Sequence, residues 1–214
     1  PYKNPDKSPG GRIDIAASPY GNLYLDGKSM LLGTTITNGE AAANILGQAD
    51  YVTASSDLNA KGFNSPRSIA YDSANKRLFV MEFSNNRVLV FDFNTITDNE
   101  DAVNVLGQAD FTASGAADLT AKGFSTPLGM TYDSNSQRLF VSDNGGRVLV
   151  FSVSAISDNE DAVNVLGQAN FTSTGNDFNA KGFSIARGMT YDTDNNLLFV
   201  SDTASNRVLV FDVG

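Results

Sequence analysis

The sequence predicts an all-β protein: a β-propeller built of four-stranded antiparallel blades. Three observations predict it. An eight-residue phrase returns at fixed spacing, as NILGQADY at 44–51, NVLGQADF at 104–111 and NVLGQANF at 164–171, which sets a repeat of 60 residues (104 − 44, 164 − 104). Between its copies, runs of Val, Ile, Leu, Phe and Tyr of strand length alternate with turns of Asp, Asn, Ser and Gly. Finally, a short meander repeated in tandem cannot bury both of its faces alone, and stacking blades around an axis does so. A linear β-solenoid is the alternative, but its coils are shorter and lack tight hairpins.

The elements follow in order along each repeat. Segment a reads RIDIAA at 12–17, RSIAYD at 67–72, LGMTYD at 128–133 and RGMTYD at 187–192. Segment b reads NLYLD at 22–26, RLFVME at 77–82, RLFVSD at 138–143 and LLFVSD at 197–202. Segment c reads KSMLLGTT at 28–35, NRVLVFDF at 86–93, GRVLVFSV at 146–153 and NRVLVFDV at 206–213. Segment d is the recurring phrase. The turns DSANK, DSNSQ and DTDNN join a to b, and SDNGG and SDTASN join b to c, with residues that bond their own backbone. Before d, Thr97 and Ser157 stand three residues ahead of Glu100 and Glu160, a capping-box spacing that predicts one helical turn.

The longest connectors, at 51–66, 111–127 and 171–186, lead from d to the next a. They are rich in Ala, Ser, Thr and Gly and carry Phe111, Phe124, Phe171 and Phe183. Long loops on a rigid scaffold are where ligands meet a protein, so these connectors are the expected ligand face. The chain reads as one propeller segment over 1–214, with units of roughly 1–50, 51–110, 111–170 and 171–214. Segments a, b and c occur four times and d three times, so the segment is expected to be part of a larger propeller. Further blades of the same chain, or a protein partner, would then cover the apolar edge at 206–213.

Composition narrows the chemistry. Fifteen Lys and Arg face 24 Asp and Glu, for a net charge of −9. That balance argues against nucleic acid and against an anionic membrane surface. No stretch approaches the roughly 20 apolar residues of a membrane-spanning helix. The chain has no Cys and no His. It therefore lacks a thiolate nucleophile, an imidazole base and the usual ligands of zinc, copper and haem. No metal, no cofactor and no catalytic residue is expected.

The stretch GFSTPLGMTYDSNSQRLFVSDNGGRVLVFSV resembles the NHL repeat of β-propellers, with Pro127, Gly129, Asp133, Asp143 and Arg147 at its characteristic places. In the next unit the matching residues are Gly188, Asp192, Asp202, Asn206 and Arg207. The phrase VLGQADF is similar to a longer-loop variant of bacterial NHL-type proteins. The resemblance covers about residues 60–214; the first unit departs from it, with Ser18, Asp26 and Lys28 at the key positions. It implies a binding scaffold. The NHL-type amidating lyases use a His-ligated metal, which this sequence cannot build.

Within the repeats, Asp143 with Arg147, Asp202 with Arg207 and Glu82 with Arg87 fall at the two ends of each b–c hairpin. They read as a structural clasp, since one ligand site does not need identical copies. Asp192, Asp194 and Asn196 in DTDNN have the alternation of a calcium loop, but the equivalent turns lack the extra acids, and a plain hairpin is the better reading. The acids of DNEDAV suit a helix start and a soluble surface. Gln48, Gln108 and Gln168 are expected to bond neighbouring backbone, beside Gly47, Gly107 and Gly167 at points of close approach or bulges. Together these readings give a non-catalytic NHL-type propeller for protein interaction, binding or assembly, secreted or on the surface of a prokaryotic cell. The alternative is a fragment of an enzyme propeller, lyase or hydrolase, whose catalytic residues lie in other blades.

Overall fold

A computed structural model describes residues 22–25, 28–31, 38–115, 119–175 and 178–214. Segment a at 12–17, with Ser18 and Asp26, lies outside the described residues. The chain divides into two compact units, Pro1–Ala43 and Asn44–Gly214. In the first, β1 (Asn22–Leu25) and β2 (Lys28–Leu31) pair antiparallel, with Asn22 opposite Leu31.

The second unit contains three antiparallel sheets in sequence order. The first is β3 (Pro66–Asp72), β4 (Arg77–Glu82), β5 (Arg87–Asp92) and β6 (Asn104–Leu106). The second is β7 (Pro127–Asp133), β8 (Arg138–Asp143), β9 (Arg147–Ser152) and β10 (Asn164–Leu166). The third is β11 (Ala186–Asp192), β12 (Leu197–Asp202) and β13 (Arg207–Asp212). Each is a meander in which neighbours in sequence are neighbours in the sheet. Segments a, b and c of these repeats are strands within a residue of their predicted bounds. Every first strand carries a register shift near its start, between Pro66 and Ser68, Pro127 and Gly129, and Ala186 and Met189.

Segment d is a strand for only three residues, and Asn44–Tyr51 forms none. Glycine sets this limit. Gly107 and Gly167 have φ of 88° and 89°, which turns the chain out of the extended conformation. A Cβ on either would fall inside the ring of Phe124 or Phe183. Each of those rings packs in turn on the Phe of its own third strand, Phe124 on Phe151 at 5.7 Å and Phe183 on Phe211 at 5.5 Å. The recurring phrase is thus half strand and half a cap over a buried phenylalanine.

The helical turn expected at 97–100 and 157–160 is absent. Half of the capping box does form: the Thr97 and Ser157 amides donate to the Glu100 and Glu160 carboxylates at 3.2 and 3.1 Å. Asn99 and Asn159, at φ of 54° and 55°, then take the left-handed conformation, which stops a helix at its first turn.

The sheets pack face to face, with β7 against both β3 and β11. Alternation along the strands supplies both layers. Phe79, Val88 and Val90 of the first sheet meet Leu139, Leu149 and Phe151 of the second. Phe140, Val148 and Val150, on the second sheet's other face, meet Ala186, Leu198 and Val200 of the third. Leu89, Phe91 and Val80 form a third cluster with Phe63 on the far side of the first sheet. β7 comes so close to β11 that a Cβ at Gly129 would overlap the Arg187 carbonyl, which explains the glycine in that strand.

Candidate functional site

The charged residues of the b–c hairpins form pairs. Arg147 Nε donates to Asp143 Oδ2 at 2.9 Å, and both side chains are fully buried. The rest of the guanidinium fans out to backbone: Nη1 to the carbonyls of Thr120, at 3.1 Å, and Phe171, and Nη2 to the Gly123 carbonyl at 3.0 Å. Arg87 repeats the arrangement, with Nε to Glu82 and donors to the carbonyls of Phe111, Asn59 and Gly62. Arg207 pairs with Asp202 at 3.1 Å and reaches the Phe178 and Gly182 carbonyls, both at 2.9 Å. Each Arg therefore joins its hairpin to the connector that precedes the blade. Arg87 and Arg147 also hold the loop that follows it.

Burial raises the Glu82 carboxyl above its ordinary value, against the opposing pull of Arg87. Asp202 is also penalised by burial, but hydrogen bonds from Ser205, the Ile185 amide and Arg207 outweigh this and hold it below its ordinary value.

A second set of bonds was not visible in the hairpin pattern. Asp72 pairs with Arg77 and Asp133 with Arg138, each at 2.7 Å, across the a–b turns. The third repeat has Leu197 in place of the arginine, and Asp192 holds only its own turn, through the Asp194 and Asn195 amides and Asn195 Nδ2. The calcium-like alternation of DTDNN is spent on this turn. Tyr132 of the next sheet bonds Asp72; burial and then that carboxylate push the phenol up to about 12. Tyr191 stands in the same relation to Asp133, and its phenol is raised by burial and by that charge.

The acids before d link neighbouring repeats. Asp98 Oδ1 accepts from Asn44 Nδ2 at 3.1 Å and from the Ile45 amide at 3.0 Å. Asp158 holds Asn104 and Val105 at the same two distances. These two aspartates pin the outer segment of the repeat before them, a role that charge counting alone could not reveal.

The glutamines bond backbone. Gln108 Nε2 donates to the Asn85 and Asn86 carbonyls at 3.3 and 3.2 Å, and its Oε1 accepts from the Gly115 amide at 3.0 Å. Gln168 Nε2 donates to the Gly146 and Gly175 carbonyls at 3.0 and 2.9 Å, and Gln48 Nε2 to the Ser55 carbonyl at 2.6 Å. Beside each glutamine lies an open hollow. The first, of about 160 Å³, is lined by Gly47, Gln48, Lys61 and Asn99. The second, of about 260 Å³, is lined by Gly107, Gln108, Lys122 and Asn159. The third, of about 450 Å³, is lined by Gly167, Gln168, Asn179 and Lys181. A separate groove of about 430 Å³ crosses the first strands, along Tyr71, Met130, Tyr132 and Met189.

The connector phenylalanines need correction. Phe124 and Phe183 are core residues, clamped under Gly107 and Gly167, and offer nothing to a ligand. Phe111 and Phe171 are half-buried against the cores, and their carbonyls receive Arg87 and Arg147. The exposed aromatics beside the hollows are Tyr51 and Phe178. Among the described residues no cluster of three or more acidic side chains is placed to hold a metal ion.

No family model matches the sequence, and no curated protein matches it. Solved structures with a similar fold include a nidogen/laminin complex, at 16% identity and TM-score 0.44 over 70% of this chain and 45% of that one. They also include hydrazine synthase from Kuenenia stuttgartiensis, at 12% and 0.48 over 78% and 37%. A third is a set of RRP9 WD40 repeats, at 11% and 0.44 over 68% and 38%. The chain spans less than half the length of each.

Proposed function

We propose that Asn44–Gly214 is a run of β-propeller blades of NHL-like type, part of a larger propeller, that serves as a non-catalytic scaffold for protein binding or assembly. The observation that carries the reading is the hollow built three times from the same Gly-Gln-Ala phrase, a Lys and the connector, with Tyr51, Val52 and Phe178 exposed nearby. A surface repeated at every blade suits an extended partner better than a single reaction centre. The buried charges support the same view, because Glu82, Arg87, Asp133, Asp143, Arg147 and Asp202 are all engaged in ion pairs. The partner is a protein, and a basic face would complement the chain's net charge of −9. The scaffold acts outside a prokaryotic cell or on its surface, which cell fractionation would test.

The main experiment places a photo-crosslinking residue at Val52 or Phe178, and at Ser73 or Asn195 on the a–b turns, in the native host. The reading expects one shared adduct from the connector positions and none from the turns. Adducts from the turns alone, or from neither set, would count against it.

A further inference from the structure

The interface between successive sheets is built the same way twice. In the first case, Phe79 of β4 stacks on Tyr132 of β7, with ring centroids 5.9 Å apart and planes at 30°. Val88 and Val90 of β5 are fully buried beside them, and the tyrosine hydroxyl bonds Asp72. In the second, Phe140 of β8 stacks on Tyr191 of β11 at 6.2 Å and 24°, Val148 and Val150 are buried, and the hydroxyl bonds Asp133. One side supplies a Phe, two Val and an Asp. The other supplies the Tyr and, two residues before it, Met130 or Met189.

Each half occurs once more, on an exposed face. The outer face of the third sheet presents Phe199, Val208, Val210 and Asp192, with Val208 60% and Val210 52% exposed. On β3, Ile69 and Tyr71 stand where the Met and Tyr stand in the later repeats, and are 67% and 47% exposed. We infer that these faces are the two halves of one further interface, and that a second copy of this chain docks head to tail, β3 of one copy on the outer face of β11–β13 of the other. Tyr71 of one copy then stacks on Phe199 of its neighbour, its hydroxyl meets Asp192, and Ile69 covers the valines. The occupant is argued from complementarity of a specific kind. Aromatic ring, hydroxyl and carboxylate must meet in one register, and the chain already carries both sides of that register twice. Since the two faces differ, the contact is heterologous and each copy keeps a free half for the next. The inference is independent of what the connectors bind.

The test is sedimentation velocity of the chain over a range of concentrations. Association is expected to grow with concentration above the 22.7 kDa monomer. Val210→Glu on one face and Tyr71→Glu on the other should each weaken it by about tenfold or more, as loss of a central contact does. Both positions are exposed, so melting should stay cooperative; Val208→Glu serves in place of Val210→Glu if that variant unfolds. Mixing the two variants pairs the intact half of one with the intact half of the other, and should restore association that stops at two copies. A monomer at every concentration, association indifferent to both substitutions, or a mixture that stays monomeric would overturn the inference.

Discussion

Removing the Arg147 side chain tests whether the hairpin clasp holds the fold. Arg147 and Asp143 are both fully buried, and the arginine also donates to three backbone carbonyls, of Thr120, Gly123 and Phe171. Arg147→Ala leaves the Asp143 carboxylate buried with only the Ser125 and Gly145 amides, at 3.0 and 2.9 Å. Breaking a buried pair from one side costs about 3–5 kcal/mol, and those two amides should keep the loss near the lower end. Arg207 makes the same bonds, but its side chain is 25% exposed, so water can replace part of what is lost. Arg207→Ala should cost about 1–2 kcal/mol. Arg147→Lys should fall between, because one ammonium cannot follow the fork of a guanidinium. Urea unfolding, read by tyrosine fluorescence and by circular dichroism, gives all three values. A loss below about 1 kcal/mol for Arg147→Ala, or equal losses at 147 and 207, would refute the reasoning.

Three other outcomes are expected. Gly107→Ala puts a methyl into the Phe124 ring at a φ of 88°, and should lower stability by about 2 kcal/mol or more in the same assay; a neutral result would mean that the phrase does not clamp the ring. Gln137→Asn places at a left-handed position (φ 52°) the residue that the third repeat has there as Asn196, and should raise the melting point, by about 0.5 kcal/mol in stability; a lower melting point would refute it. Asp72 and Asp202 are held below their ordinary value of 3.8, so the stability they contribute is present above about pH 4 and is lost as pH falls through their lowered values. Glu82 works in the opposite sense: its raised value means that ionisation costs stability, so acidification from neutrality toward 4.5 relieves that cost. Urea midpoints taken from pH 7 to pH 2 should therefore fall at the acid end, and less steeply in Asp202→Asn; an unchanged slope would reject the assignment.

The strands were legible in the sequence because their signals are local. RLFVSD followed by a turn and RVLVFS defines a hairpin without reference to anything distant, and β8 and β9 lie where those letters put them. The arginine partners were legible for a related reason, since Asp143 and Arg147 face each other across a turn. What sequence could not supply was contact between repeats. Phe124 sits in a stretch that reads as loop, and only the meeting of Gly107 with Gly123 shows that its ring is clamped from the repeat before. Asp98 and Asp158 read as surface acids because the amides they hold lie more than fifty positions earlier in the chain. The capping-box spacing misled because its Glu–amide bond forms equally well in a turn that a left-handed Asn then ends.

Much of what recurs in the repeat serves a neighbouring repeat. The Tyr of each first strand bonds the Asp of the sheet before it, the Asp of the TDNE or SDNE turn pins the outer segment of the repeat before it, and the Arg of the hairpin holds a loop of the repeat after it. A residue selected for such bonds must recur wherever a neighbour recurs, which accounts for near-identical phrases at a period of 60, from 104 to 164. It also explains a graded burial. The outer strand β6, pinned by Asp158, has Val105 and Leu106 fully buried, whereas the corresponding residues of β10 are only half-buried. Stability in such an array is a sum of repeat terms and interface terms, so the same substitution costs most where neighbours flank it on both sides. The expected difference between Arg147→Ala and Arg207→Ala is this rule at one position of the repeat. It should also hold for the glycines, with Gly107→Ala, under the Asp158 staple, costing more than Gly167→Ala. An inverted order would mean that each repeat stands on its own core, with the shared phrases serving something other than the fold.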